Sequence, residues 1–495
     1  MGSQRHESRG YLDKLANLCI SRGTNAWTDR DHTAYNAITA GPLGLQRLLP
    51  VLLDHVLSPT LTDEQFATEV FHVDGEGNAK GVVYCEMQGR EATEDDLSDH
   101  HLHELLYANS GYRFECGGLT PDIERISNDE VKSYHKRYYA PSNCLILVHG
   151  QVSKQLLESA LDEWATHTDT LTSLPSSPDT PRPWRDLPAP LASSVSRTVE
   201  FGAEDEDVGS VTLGWSGPPL GDIVTCVALE VLFRFLQEGA ASPLAQRFVE
   251  CAQPLASSVD FDLELRLRTC FTLQFSGVPN SAGQAKEGED AEDDGGSDDD
   301  GDGEEGSDES EGSDEEDMEE EESADKAGGD GGSSVGGGET VLKEGVIVGM
   351  LMEVLGELLQ KGFPEGGIAQ AIDRHWVKIL EECEDEPSEA LQNYLLPELI
   401  FADHFNKKLD QSNADKLGGA GEGGSRVTAL DTEPILQSLR SKDEKFWKDL
   451  LDTWVVGAPV GEIVMRPSKA LVKARAAQET VAIVKSRRAT KINVK

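Results

Sequence analysis

Between Glu287 and Asp325 the chain carries 24 acidic residues and no basic one, and no packed structure can be built from that stretch. Like charges at this density repel, and the glycines and serines between them leave almost nothing apolar to bury. A folded unit with residues on both sides must therefore be assembled across a solvated insertion, read here as 281–338. The run holds about half of the formal net charge of −46; outside it, 66 acids against 44 basic residues leave −22. Phosphates are repelled by such a balance, so neither nucleic acid nor an anionic membrane surface is expected as a partner. Ser297, Ser307 and Ser313 each precede an acid, the context that an acid-directed kinase uses.

On either side of the insertion the apolar pattern is that of a folded α+β protein. Leu45, Leu48, Leu49, Leu52, Leu53, Val56 and Leu57 recur at i, i+3, i+4 and i+7 and predict an amphipathic helix despite Pro50. A shorter stripe, Leu12, Leu15, Ala16 and Cys19, predicts a helix stopped by Gly23. Strands are expected over Thr24 to Ala40, Asn143 to Val148, Val211 to Trp215 and Ser257 to Phe275, with a strongly apolar helix from Ile223 to Leu236. Helical spacing resumes at Val341 and continues with breaks to about Leu399. The expected organisation is a first α+β domain over 1–168, a Pro/Ser/Thr-rich linker over 169–197, a second α+β domain over 198–430 and a helical, basic segment over 431–495. Gly418 to Gly424 reads as a flexible loop.

Apolar runs fall short of the ~20 residues a membrane span needs, and no charged-then-apolar leader opens the sequence. Eight cysteines are scattered without a C-x-x-C pair, several in apolar runs such as the one around Cys144, which predicts reduced core thiols. No G-x-S-x-G occurs, and the glycine-rich stretches lack the lysine of a phosphate loop. His100, His101, His103 and Glu104 form HHLHE on an expected helix; the order is neither H-E-x-x-H nor H-x-x-E-H, so solvent-exposed imidazoles are expected there. His32 and His135 read as structural.

Four phrases together resemble the pitrilysin/insulysin family of zinc peptidases, and in particular its presequence-protease-like branch. They are Gly23 to Asp29 (GTNAWTD) with His32 to Tyr35 (HTAY), Gly81 to Gly89 (GVVYCEMQG), Tyr134 to Asn143 (YHKRYYAPSN) and Ser242 to Glu250 (SPLAQRFVE). The resemblance implies tandem metallopeptidase-like units, each an antiparallel sheet with helices packed on it, arranged as halves that close around a peptide. It implies a zinc held by the two histidines of an inverted H-x-x-E-H motif and by a glutamate on a later helix, a position that Glu86 matches. Asn25 and Ala26 match the edge strand to which an extended peptide adds through backbone hydrogen bonds. The motif itself is missing: no H-x-x-E-H occurs in the 495 residues. With Glu86 alone, tight zinc binding and hydrolysis by this chain are not expected, and no residue is assigned a catalytic role. Expected partners are an unstructured peptide and a second half-chain or homologous subunit. The alternative is a non-catalytic, peptide-binding or scaffold subunit, and the compartment is expected to be cytoplasmic, with mitochondrial as the alternative.

Overall fold

The computed structural model describes residues 2–166, 186–280, 341–401 and 432–475. Most of the expected linker, the acidic insertion with its three serines, the loop from Gly418 to Gly424 and the end of the basic tail lie outside the described residues.

The chain starts with a short helix, α1 (Tyr11–Leu18), and a hairpin of β1 (Thr24–Thr28) and β2 (Thr33–Ala37), in which Ala26 faces Tyr35 and Asn25 faces Asn36. The leucine stripe forms α2 (Gly41–Leu57), and its Leu49 and Leu53 pack on Ala160 and Trp164 of the helix Lys154–Thr166. Helix α3 (Asp63–Glu69) begins in a reciprocal capping box between Thr62 and Gln65. A two-residue ribbon of β3 (His72–Val73) and β4 (Ala79–Lys80) leads to α4 (Val82–Arg90). Gly81 at the entry to α4 has φ 135°, and a Cβ there would lie 2.2 Å from the Val70 carbonyl oxygen, so only glycine fits this turn. Next come α5 (Glu94–Leu106), the single turn α6 (Thr120–Ile123), α7 (Asn128–Tyr138) and α8 (Lys154–Thr166).

Beyond residue 186 the chain builds one five-stranded sheet in the order β5-β9-β6-β8-β7, from β5 (Val195–Gly202), β6 (Val208–Pro219), β7 (Ser258–Glu264), β8 (Arg268–Pro279) and β9 (Val460–Ser468). The sheet is mixed, because β5 and β9 run parallel while the other pairs are antiparallel. One face carries α9 (Ile223–Gln237), α10 (Val346–Lys361), α11 (Gly367–Asp385) and the helices Thr432–Arg440 and Glu444–Leu451, which bury Val211, Leu213 and Trp215 of β6 in the largest core. Two short helices, α12 (Pro387–Tyr394) and α13 (Leu396–Ile400), follow α11.

Helix α5 lies on the opposite face. Its Leu102 and Leu106 pack with Ile463, Met465 and Cys270, and the Ser98 hydroxyl donates to the Thr212 hydroxyl at 2.8 Å. Two glycines make this approach possible: a Cβ on Gly214 would sit 2.9 Å from both Leu102 methyls, and one on Gly461 would sit 3.4 Å from the same side chain. Gly214→Val is therefore expected to destabilise the fold by about 1–3 kcal/mol through overpacking, read as a lower urea midpoint with an unchanged m-value.

Three expectations need correction. Asn143 to Val148 forms no strand: a single 3-10 turn covers Pro141–Asn143, and Leu145, Ile146 and Leu147 are 51%, 39% and 39% exposed. An apolar run becomes a strand only when a neighbour pairs with it, and none among the described residues does. Cys144 is accordingly exposed, as are Cys85 and Cys383, so the core-thiol reading holds for Cys19, Cys226 and Cys270 only; all eight are free. Within 431–495 the segment Val460–Ser468 is a strand, not a helix, buried on both sides between β5 and β6.

Candidate functional site

The outer edge of β1 is the first element of the site. Among the described residues β1 pairs with β2 alone, and both Asn25 and Ala26 are exposed. The Ala26 N–H donates to the Asn25 side-chain oxygen at 2.9 Å. A local side-chain acceptor thus occupies an edge amide that an added strand could otherwise engage.

Glu86 lies on the exposed side of α4, whose other side buries Tyr84 and Met87 against Ile123. Among the described residues, no group of three side chains able to hold a metal ion includes it. The described residues around Glu86 do not by themselves complete a zinc site.

Three clusters do have ligand-like spacing: His100, His101 and Glu104; Asp29, Asp31 and His32; and Asp99, His103 and Glu264. Each already contains or borders a guanidinium. Arg197 donates to Glu104 at 2.7 Å, Arg266 to Asp29 at 2.8 Å and to Glu264 at 2.5 Å, and Arg30 to Asp99 at 2.5 Å. These are internal ion networks rather than metal cages.

The last two clusters join into one network that anchors the tip of the β1–β2 hairpin. Asp29 and Arg30 belong to the tip, Asp99 and His103 to α5, Glu264 to the end of β7 and Arg266 to the turn between β7 and β8. Arg266 also lies 5.5 Å from the Tyr112 ring centroid, and the Tyr112 hydroxyl donates to Asp31 at 2.9 Å. His103 is 1% exposed, contrary to the expectation of solvent-exposed imidazoles; its Nδ1 is 3.0 Å from Asp99 and its Nε2 3.2 Å from Glu264. Burial works against charge on His103, but the hydrogen bonds and charges of Asp99 and Glu264 outweigh it and push the imidazole up to about 9. Burial likewise works against the Glu264 carboxylate, yet His103 and Arg266 bring it down to about 2. His32 and His135 do have structural contacts, to Asp31 at 2.7 Å and to the Val56 carbonyl at 2.9 Å.

Beside the hairpin tip is a cavity of about 640 Å³. Trp27 and His32 line one side of it, Glu230 of α9 and Asp262 of β7 another, and His375 of α11 and Tyr394 of α12 the rest. Sequence reasoning missed both this cavity and the Arg266 network. The available signal was the alternation Asp260, Asp262, Glu264, Arg266, Arg268, an unbroken row of charges at every second residue. Such a row is ordinarily a solvated strand face, and nothing local marks it as the wall of a site.

The model for the "Peptidase M16 inactive domain" matches residues 125–289. An uncharacterised protein of Schizosaccharomyces pombe is 38% identical over 282 residues, 56% of this chain and 27% of that protein. The mitochondrial presequence protease of Danio rerio is 29% identical over 295 residues, 56% of this chain and 28% of the relative. The matched region thus takes up little more than a quarter of these relatives' lengths. Among solved structures, a protease from Helicobacter pylori superimposes with a TM-score of 0.62 at 15% identity, covering 94% of this chain and 86% of its own. The first half of the periplasmic protease PqqL from Escherichia coli gives 0.55 at 11% identity, covering 99% and 85%.

Proposed function

We propose that this chain, which belongs to the M16 (pitrilysin/insulysin-type) peptidase family and its presequence-protease-like branch, is the peptide-holding half of a two-part peptidase and not a hydrolase by itself. The observation that carries the reading is the outer edge of β1, with Asn25 and Ala26 exposed on it, where a bound strand takes over the Ala26 N–H that the Asn25 side chain otherwise holds. An extended peptide laid on such an edge gains backbone hydrogen bonds whatever its side chains are, which suits short unfolded peptides of varied sequence. Members of the M16 family are generally zinc-dependent. In this chain Glu86 is the single residue matched to a ligand position, so metal binding and peptide hydrolysis require residues from outside these 495. We assign those residues to an H-x-x-E-H motif carried by further sequence of this polypeptide or by a second half-chain or homologous subunit, with residues 1–168 and 198–430 as the two tandem units of this half. The presequence-protease relatives carry the word mitochondrial in their names, which supports the mitochondrial alternative over the cytoplasm. No helix among the described residues is long and apolar enough to cross a membrane.

A fluorescein-labelled unstructured peptide should bind the chain, and Ala26→Pro, which removes the edge N–H and a ladder contact, should weaken binding about tenfold. The chain alone, with added zinc, should leave a quenched peptide uncut; chelator-sensitive cleavage would overturn the proposal, as would peptide affinity untouched by Ala26→Pro. A second reading, a non-catalytic scaffold subunit, is favoured by the match of residues 125–289 to an inactive domain. Adding a companion fragment that bears H-x-x-E-H separates the two, since only a peptidase half gains cleavage.

A further inference from the structure

The cavity beside the hairpin tip holds more acid than its own cations neutralise. Arg234, Arg266 and Lys378 line it, and each is committed to another carboxylate: Arg234 to Glu238 at 2.7 Å, Arg266 to Asp29 and Glu264, and Lys378 to Glu382 at 3.5 Å. Glu230 and Asp262 have no lysine or arginine within ion-pair distance among the described residues. Burial pushes the Glu230 carboxyl up to about 7 and raises that of Asp262, although Asp262 remains open to solvent.

A second, independent feature points the same way. His375 lines the cavity, is 3% exposed and has no hydrogen bond at either ring nitrogen. Its Nε2 lies 3.3 Å from the Glu230 carboxylate without the geometry of a hydrogen bond. Burial holds this imidazole neutral, well below its ordinary range, at about 3. A neutral imidazole always presents one acceptor nitrogen, and here that acceptor has no donor. Buried acceptors are ordinarily satisfied, so the wall offers an unmet acceptor to an N–H-bearing group. The Asp29, Asp31 and His32 triad on the facing wall is already tied to Arg266 through Asp29. Glu230, Asp262 and His375 are not gathered as in a metal site, for among the described residues no ligand-like triad includes any of the three. Spread over three elements, they suit a group with several divergent donors. The volume is in the range of small-ligand pockets, roughly 300–1,000 Å³.

We propose that this cavity, between β7, α9 and the α11–α12 segment, is a subsite for the guanidinium or ammonium group of an arginine or lysine in a bound peptide. The proposal rests on the peptide-holding reading, and it gives that reading a side-chain preference. Trp27 belongs to β1 and lines the same cavity, so a chain laid on the β1 edge passes close enough to place one side chain in it.

The test uses the full chain and an unstructured, labelled host peptide in which one arginine is moved along the sequence, each version paired with its citrulline isostere. At the best position the arginine peptide should bind about tenfold more tightly than its citrulline partner. Glu230→Gln and Asp262→Asn should each shrink that preference at least threefold, the double variant should abolish it, and citrulline binding should stay constant. Asp122→Asn, a charge removal at an exposed helix position, should leave the preference intact; a drop there would assign it to overall charge and overturn the subsite. Equal binding of arginine and citrulline peptides at every position overturns the subsite while leaving the edge-strand reading standing, and no binding of either peptide overturns both. Should Glu230→Gln fail to fold, Asp262→Asn on the solvent-open wall carries the test.

Discussion

Replacing Arg266 by glutamine is expected to destabilise the fold by about 3–5 kcal/mol, the range for removing one member of a buried ion pair. Arg266 compensates two acids at once, Asp29 at 2.8 Å and Glu264 at 2.5 Å, and its own side chain is 9% exposed. With it gone, Glu264 keeps His103 as a partner, but Asp29 loses its cation. The damage should therefore spread outward from the tip of the β1–β2 hairpin. Hydrogen exchange in 24–37 should accelerate more than exchange in β6 or β8, and urea unfolding should report the global loss. The double replacement Asp29→Asn with Arg266→Gln removes charge from both sides and should recover part of it, since an uncharged pair leaves no orphaned ion. Equal protection of the hairpin in the wild type and Arg266→Gln would mean that the network does not anchor it.

This network shows why so much of the fold was legible in sequence and so little of the site. The helix over Leu45 to Leu57 and the strands from Ser257 to Phe275 announce themselves through periodicities of 3.6 and 2 within a single window. β9 does not: Val460 to Ser468 contains Gly461, Glu462 and Pro467, and its strand character comes from its place between β5 and β6. Its buried Glu462 is satisfied by Ser196 at 2.6 Å and by the Gly345 N–H at 2.9 Å, groups contributed from far away in the chain. Asn143 to Val148 errs in the opposite sense, for its local pattern is that of a strand and no partner for it stands among the described residues. Phrases such as GTNAWTD and GVVYCEMQG pointed to the family and to β1 and α4 as elements. They did not show that Glu86 has no companion ligand among the described residues. The cavity is harder still, because its walls run from Trp27 to Phe401 and Glu230 lies, with Arg234 one turn on, within a largely apolar helix. A charge in an apolar stripe can be an error of register or a functional group, and only the surrounding wall decides between them.

The second large effect is a loss of stability with rising pH. His103 is held up at about 9 in the fold, whereas an unfolded histidine titrates near 6.5. Between those values the folded state binds the extra proton, so stability falls as pH rises. The contribution of His103 is fully present below about pH 6.5 and is lost as pH approaches 9, amounting to about 3 kcal/mol at about 1.4 kcal/mol for each unit between the two values. Other groups act in different windows. Glu230, raised by burial to about 7, contributes a fall that begins near the ordinary carboxylate range and is complete close to neutrality. Glu264, lowered to about 2 despite its burial, contributes stability that is present above the ordinary carboxylate range and disappears only in acid. His375, lowered to about 3 by burial, acts below pH 6.5. From pH 7 to 9 His103 shares the fall with the end of the Glu230 titration and, toward pH 9, with the buried thiols Cys226 and Cys270, whose raised values act in the same sense. Urea unfolding at half-unit steps across this interval should show a steeper decline in the wild type than in His103→Gln, which keeps a side-chain donor between Asp99 and Glu264 without the titrating proton. Parallel slopes in the two proteins would place the proton elsewhere and remove His103 from the charged network that holds α5 to the β7–β8 turn.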